Sequence, residues 1–485
     1  MGLSTLVGIV REPVLAETRQ NLARSRARVA PDFQVPQQML GRQANSCGAT
    51  IGAMPRCDFA CRGCYLGDEA NRIPAASLDE IKRQMRELRP LLGNPGNVQL
   101  TDGEITLRPD HEVIELLQYA IGLGLIPMVM THGDTFRRRP GLLERYMVEG
   151  GLLDVSIHID TTQRGRLGDR WRAARTEADL NPLRDEFAAL VRAARAATGL
   201  PLRCATTVTV TRDNLHGIPD VMRWLTGNAD VFRMISFQPI AQVGRTEDGL
   251  GGGVDGESLW QAVARGLPPG RDDGELRRAH QWLGHPDCNR FVHGVLVRRG
   301  GEPVDYMPIR VDGDPVGPPE VDGFLQRFGG ISFRRDTTTE GVVRALALTL
   351  RAPWFMTSGA VRLARTWLAR IAPGAPLRAV RELLRGDVRL DPLVIVSHHF
   401  MSREELETPV GKERLAHCVL HVNIDGETLS MCEANALGRR AELYSRLAQG
   451  TAAATPVSVP VPVPEVLAPV ESPVPVPQPV PQGVS

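Results

Sequence analysis

Between Ala49 and Arg245 short β-like apolar runs alternate with amphipathic helical stretches in six successive units. The runs are Ala49–Pro55, Val98–Asp102, Ile126–His132, Leu153–Ile159, Arg203–Val210 and Phe232–Gln238. Between them lie helical patterns such as SLDEIKRQMRELRPLL, where Ser77 with Glu80 three residues on has the order of a capping box. Alternation of this kind predicts an α/β fold, a parallel sheet wrapped by helices. Six units of this length predict a partial (β/α)6 barrel, in which chemistry gathers at the C-terminal ends of the strands.

The pattern divides the rest of the 485 residues. Residues 1–46 precede the core, which spans 47–248. A Gly-rich, charged stretch at 249–275 reads as a linker. Residues 276–445 show no clear βα repetition and read as a C-terminal α+β extension. Residues 446–485 end in a Pro/Val-rich run with ten prolines from Pro456 on, expected to be a disordered, polyproline-like tail.

A formal net charge of +1 gives no global reason to bind nucleic acid. Eight cysteines in so long a chain are too sparse for a disulfide scaffold and suit a reducing cytoplasm. The opening MGLSTLVGIVREP lacks a basic n-region and its apolar run breaks at Arg11 and Glu12, so no signal peptide is expected. No stretch approaches the roughly 18 apolar residues of a transmembrane segment.

The tightest chemical constraint is CDFACRGCY, which sets Cys57, Cys61 and Cys64 as C-x3-C-x2-C after the first strand. Three thiolates can hold an iron-sulfur cluster whose usual site supplies four. A closed zinc site needs a fourth ligand, and no histidine lies between Ser46 and Asp110. A zinc knuckle and chance clustering are the bland alternatives. The spacing, with Tyr65 following, resembles the radical S-adenosylmethionine (SAM) superfamily. That resemblance implies a 4Fe-4S cluster whose open iron binds SAM, reductive cleavage of SAM to a 5'-deoxyadenosyl radical, and an electron donor such as flavodoxin or ferredoxin.

The same resemblance extends along the strand ends. TDGEITLRPD is similar to the superfamily's G-G-E-P motif, with Asp102 and Ile105 replacing the first glycine and the proline. It implies that Gly103 and Glu104 hold the SAM ammonium. Thr131, His132 and Gly133 resemble the T-N-G that often closes the third strand. Ser156, His158 and Asp160 alternate onto one face of the fourth strand end, where family members bind the ribose and carboxylate of SAM. Thr207 and Gln238 suit adenine contacts. For His132 and His158 a structural role is the competing reading.

Three further cysteines, Cys288, Cys418 and Cys432, form a candidate auxiliary site, a possible second iron-sulfur cluster. Asn423-Ile424-Asp425-Gly426 reads as a three-residue hairpin loop that pairs Asn423 with Glu427 and sets Cys418 opposite Cys432. His285, His417, His421, Cys47 or an exogenous group is the candidate fourth ligand, and buried free thiols are the alternative. Cys47, at the start of the first strand, lies at the far end of the barrel from the first cluster. A structural zinc site of the Cys3His type is a third reading.

Arg344 to Arg385 holds eight arginines against one acid, Glu382. Basic amphipathic helices of this kind lie on anionic membranes or grip lipid phosphates; a solvated helical face is the alternative. The H-P-D-C segment, Phe400-Met401 and the final cysteine hairpin distantly resemble the tetraether-lipid synthase branch. That resemblance implies hydrogen abstraction from an unactivated C–H of a lipid or other amphipathic substrate at a membrane surface, by a cytoplasmic or membrane-associated enzyme. The rival readings are a radical SAM peptide-modifying enzyme and a noncatalytic iron-sulfur electron-transfer protein.

Overall fold

All six expected strands form. The computed structural model describes residues 3–452 other than 60, 164, 167, 249, 251, 271, 273 and 335. In it the strands are β1 (Gly48–Met54), β2 (Gly96–Asp102), β3 (Leu125–Thr131), β4 (Asp154–His158), β5 (Arg203–Val210) and β6 (Phe232–Pro239). They pair in chain order and all in parallel. The intervening helices, among them Leu78–Leu92, Asp110–Gly122, Asn181–Thr198 and Ile218–Gly227, bury one face of this sheet. Ile81, Leu88, Leu117, Phe187 and Val221 share a core with Val98, Leu100, Val129, Val155 and Val208. Ser77 caps the first helix, its hydroxyl accepting from the Glu80 N–H at 3.2 Å, so half of the expected capping box is present.

The C-terminal half continues the sheet at both edges. It adds β7 (Asn289–Arg299), β8 (Glu302–Pro308), β9 (Val388–His398), β10 (Leu420–Ile424) and β11 (Glu427–Ser430). The full order is β11-β10-β1-β2-β3-β4-β5-β6-β9-β7-β8. β9 runs parallel to β6, and β10 runs parallel to β1. The stretch read as a linker contains a helix, Gly256–Gly266, with Leu259, Trp260, Ala262 and Val263 in the main core. Its glycines and charges cluster outside three helical turns, and those turns carry the apolar spacing. The Pro/Val tail lies outside the described residues.

The hairpin differs from expectation. Ile424 pairs with Glu427 and Asn423 with Thr428, leaving a two-residue loop of Asp425 (φ +55°) and Gly426 (φ +83°). Two left-handed residues make the type I′ turn whose twist matches the flanking strands, and aspartate tolerates that region. Cys418 therefore precedes β10 and Cys432 lies beyond β11, on the helix Met431–Ala436. The two are not cross-strand partners.

Side chains of β2–β6 and β9 that alternate away from the helices line a cavity of about 540 Å³. It extends from the loop after β1, at the C-terminal strand ends, to Gly96 and Ile126 near the opposite ends. Asn97, Gln99 and Thr101 make a polar wall, while Met128, Met130, Met234, Val394 and Val396 make an apolar one.

Candidate functional site

Cys57, Cys61 and Cys64 all line the mouth of this cavity. The loop carrying them is held close to the strand ends. A Cβ on Gly63 would stand 3.2 Å from Thr209 Cγ2 and 3.3 Å from Ile240 Cδ1. Two of the thiols already receive backbone donors: Phe59 N–H to Cys57 Sγ at 3.3 Å and Leu66 N–H to Cys64 Sγ at 3.4 Å. Burial pushes both of these thiols up from their ordinary pKa, so their thiolates need a cationic centre to be stable. Three cysteines on one loop, two of them with N–H···S support, facing a ligand-sized space, fit an iron-sulfur cluster that leaves one iron to a small molecule.

The end of β2 meets this loop directly. Gly103 N–H donates to Met54 O at 2.7 Å and Glu104 N–H to Arg56 O at 2.8 Å. A Cβ on Gly103 would lie 2.2 Å from Arg56 O, so the close approach demands glycine. Asp102 adopts φ +86°, the backbone conformation that glycine favours. It is held there by Arg440 Nη1 at 2.5 Å, by the Tyr444 hydroxyl and by the Tyr65 hydroxyl at 3.2 Å.

Glu104, expected to face an ammonium, is almost fully buried and is committed to protein donors. It accepts from Thr106 N–H and hydroxyl at 3.1 and 2.6 Å, the Thr131 hydroxyl at 2.7 Å and His132 N–H at 2.9 Å. The carboxylate thus ties the end of β2 to the end of β3. The His132 ring stacks on Phe59 at 3.7 Å between centroids, and its Nε2 lies 2.7 Å from Asp58 Oδ1. Burial alone would raise the Asp58 carboxyl; His132 and Arg138 beside it hold it well below the usual range.

On β4 and β5, Ser156 Oγ meets Thr207 Oγ1 and His158 Nε2 meets Thr209 Oγ1, both at 3.2 Å. Ser156, His158, Thr207 and Gln238 line the cavity, as do Tyr65, Gly103, Glu104 and Thr131. Asp160 is not among its lining residues. It lies behind His158, with Oδ2 at 2.6 Å from Nε2, and accepts from Thr209 N–H at 2.8 Å and from Thr162 N–H at 2.8 Å. Asp160 therefore orients His158, because the chain turns inward after β4 and takes the third alternate position out of the mouth.

Arg166, unremarked in the sequence, is buried at this junction. It donates to His132 O at 2.5 Å, to Asp134 Oδ1 at 3.1 Å and to His158 O, and its guanidinium lies 5.0 Å from the Phe59 ring centroid. An arginine in the charged run RGRLGDRWR carries no sequence signal that marks it as buried.

Residues 51–225 match the radical SAM superfamily. The chain carries a radical SAM domain. A curated relative, the 7,8-dihydro-6-hydroxymethylpterin dimethyltransferase of Methanocaldococcus jannaschii, is 24% identical over 201 residues, 41% of this chain and 37% of its own length. The match thus spans little more than a third of that relative's length. Among solved structures, two of Streptococcus suis SuiB, one of them bound to S-adenosylmethionine, align with TM-score 0.32 and 15% identity. Each alignment covers 44% of this chain, and 44% and 45% of the respective SuiB chains. The radical SAM match over residues 51–225 implies SAM and a 4Fe-4S cluster, and the three-cysteine loop with the strand ends around it is where this chain's residues suit them.

Outside the matched radical SAM residues, four more cysteines converge. Cys47 N–H donates to Val419 O at 3.0 Å, beside Cys418, and Cys47 Sγ lies 3.2 Å from His398 Nε2. Cys288 O accepts from His399 N–H at 2.8 Å. Burial, and then the neighbouring thiols Cys418 and Cys288, pushes the Cys47 thiol up to about 12. Burial first also pushes Cys418 up to about 11 and Cys432 up to about 12, with nearby thiols adding to both. Cys47, one of the candidate fourth ligands, precedes the start of β1 and faces this second set because β10 pairs with β1 from that end.

Proposed function

We propose that this chain is a radical SAM enzyme that takes hydrogen from an unactivated C–H of an amphipathic substrate, a lipid being the class best suited. The observation that carries the reading is one cavity shared by three thiols, the polar strand ends and an apolar wall. When bound, a 4Fe-4S cluster with SAM supplies a 5'-deoxyadenosyl radical there, on receipt of an electron from a donor such as flavodoxin or ferredoxin. Cys57, Cys61 and Cys64 would ligate the cluster. Tyr65, Gly103, Thr131, Ser156, His158, Thr207 and Gln238 would position SAM, with Glu104 tying the strand ends together and Asp160 orienting His158 from behind. A volume of about 540 Å³ lies within the ~300–1,000 Å³ of small-molecule sites.

Cys288, Cys418 and Cys432, joined by Cys47, are proposed to bind a second iron-sulfur cluster. Among the described residues, the group of three ligand-type side chains with atoms within 4.8 Å of one another is Cys57, Asp58 and His132. The four thiols are thus spread more widely than the roughly 3.8 Å sulfur–sulfur edge of a zinc tetrathiolate with Zn–S near 2.3 Å. Iron retained in a C57A/C61A/C64A variant supports this second site; zinc alone rejects it.

The substrate class is tested by supplying reduced holoprotein and SAM with lipids deuterated along their acyl chains. Deuterium appearing in 5'-deoxyadenosine supports the lipid reading. Deuterium arriving instead from labelled peptides rejects it in favour of peptide modification. No 5'-deoxyadenosine from cluster-loaded protein leaves the noncatalytic electron-transfer reading.

A further inference from the structure

The helices Thr338–Arg351, Pro353–Ile371 and Pro376–Arg385 contact one another in series, and each turns apolar side chains away from the protein. On the last helix Ala379 is buried against Ile371, Ala372 and Val388. Leu377 and Leu384 are each 84% exposed, and Val380 is exposed as well. Positions 377, 380, 381 and 384 fall on one helical face, so the outer surface is an aliphatic stripe with Arg381 set within it. On the first helix Ala347 and Leu348 are buried, while Leu346 and Leu350, one turn apart, are exposed. Trp354, which opens the second helix, is 84% exposed. A merely solvated face would carry polar residues at these positions, and an outward apolar patch of this kind marks an interaction surface.

Charge selects the occupant. The whole chain carries +1, yet residues 344–385 hold eight arginines and one acid. Arg344, Arg362, Arg370 and Arg378 pair with carboxylates, and Arg351 donates to the carbonyls of Val10 and Arg11. The acid, Glu382, is shared by Arg299 and Arg378. Arg365, Arg381 and Arg385 are exposed and have no ion-pair partner among the described residues. Leucines and a tryptophan interleaved with unpaired arginines match the boundary of an anionic bilayer. There the apolar side chains enter the acyl region, tryptophan sits at headgroup level and guanidinium groups reach the phosphates. No helix among the described residues is long and apolar enough to cross a membrane, so such a surface lies on the bilayer.

We propose that residues 338–385 form a peripheral docking surface for an anionic phospholipid bilayer. The surface bears on the lipid substrate reading but does not depend on it, since docking is measured without turnover.

The test sediments the full-length holoprotein with phosphatidylcholine vesicles, with and without phosphatidylglycerol, at low and high salt. The expected result is at least about tenfold tighter binding to the anionic vesicles, weakened by salt. The variants L377S/L384S and R381Q/R385Q each lose about tenfold of that binding and keep the wild-type circular dichroism. Equal binding to both vesicle types, no binding, or undiminished binding of both variants overturns the proposal. So does a wild-type dimer by light scattering that L377S/L384S converts to monomer, which would make the face a contact between copies of this chain. Production of 5'-deoxyadenosine by the same variants reports separately on the radical SAM reading.

Discussion

Arg440 Nη1 lies 2.5 Å from Asp102 Oδ2 with both side chains buried, so the helix Arg439–Ala452 is salt-bridged to the tip of β2. The Tyr444 and Tyr65 hydroxyls share the same carboxylate, and Tyr65 follows the last cysteine of the cluster loop. An element more than 300 residues away in sequence thereby fixes the backbone beside the proposed cofactor.

Removing one member of this pair leaves an unpaired buried charge, and Arg440→Met is expected to cost about 3–5 kcal/mol of folding stability. Asp102→Gly relieves the positive φ but strands Arg440, so it too destabilises. The D102G/R440M double variant should be more stable than R440M alone. Urea unfolding of the three proteins checks the order; additive losses would show that the pair is not coupled.

Gly103→Ala forces a Cβ to 2.2 Å from Arg56 O, a backbone contact that cannot yield as a side-chain tip would. The loop bearing Cys57 must shift, and the variant is expected to hold less iron after anaerobic reconstitution and to bind SAM at least about tenfold more weakly. Normal iron content together with normal SAM affinity would contradict the close-approach argument.

Glu104→Ala strips the acceptor from Thr106, Thr131 and His132 donors. Each buried donor left unsatisfied costs about 1–3 kcal/mol, so a lowered melting temperature is expected in the absence of SAM and cluster. A Glu104→Ala protein of unchanged melting temperature that fails only in SAM binding would instead return Glu104 to the purely ligand-facing role that its motif suggests.

Much of this architecture was legible in the chain. The six strands were readable because alternation and length repeat six times, and the cluster loop because three cysteines stand at a distinctive spacing. The hairpin misled because Asn-Ile-Asp-Gly satisfies two turn types locally, and sheet twist, a nonlocal property, chooses between them. The roles of Arg166, Arg440 and Tyr444 were hidden, since nothing in an arginine's neighbours tells a buried ion pair from a solvated one. Asp102 carried a partial signal: a non-glycine at a motif position that wants positive φ asks for an external clamp. Asp160 was misplaced because strict alternation ends where the strand does.

Acid should unfold the protein partly through its buried histidines. Burial pulls His280 down to about 3 and His293 down to about 4 from 6.5. Above pH 6.5 both are neutral folded or unfolded. Below it the unfolded chain takes up protons that the folded one refuses, so stability falls with pH, by up to about tenfold in the folding constant per pH unit per histidine. The slope of melting temperature against pH between 6.5 and about 4 should be shallower for H280N/H293Q than for wild type. Equal slopes would place the acid sensitivity elsewhere.

The most direct measurement is 5'-deoxyadenosine production by oxygen-protected, iron-loaded protein given SAM and a strong reductant. The nucleoside should accumulate with wild type and vanish in the C57A/C61A/C64A variant, even where that variant keeps iron at the second set of cysteines. Wild-type protein with a full cluster and bound reductant that leaves SAM intact, or equal cleavage by the triple variant, would contradict the account.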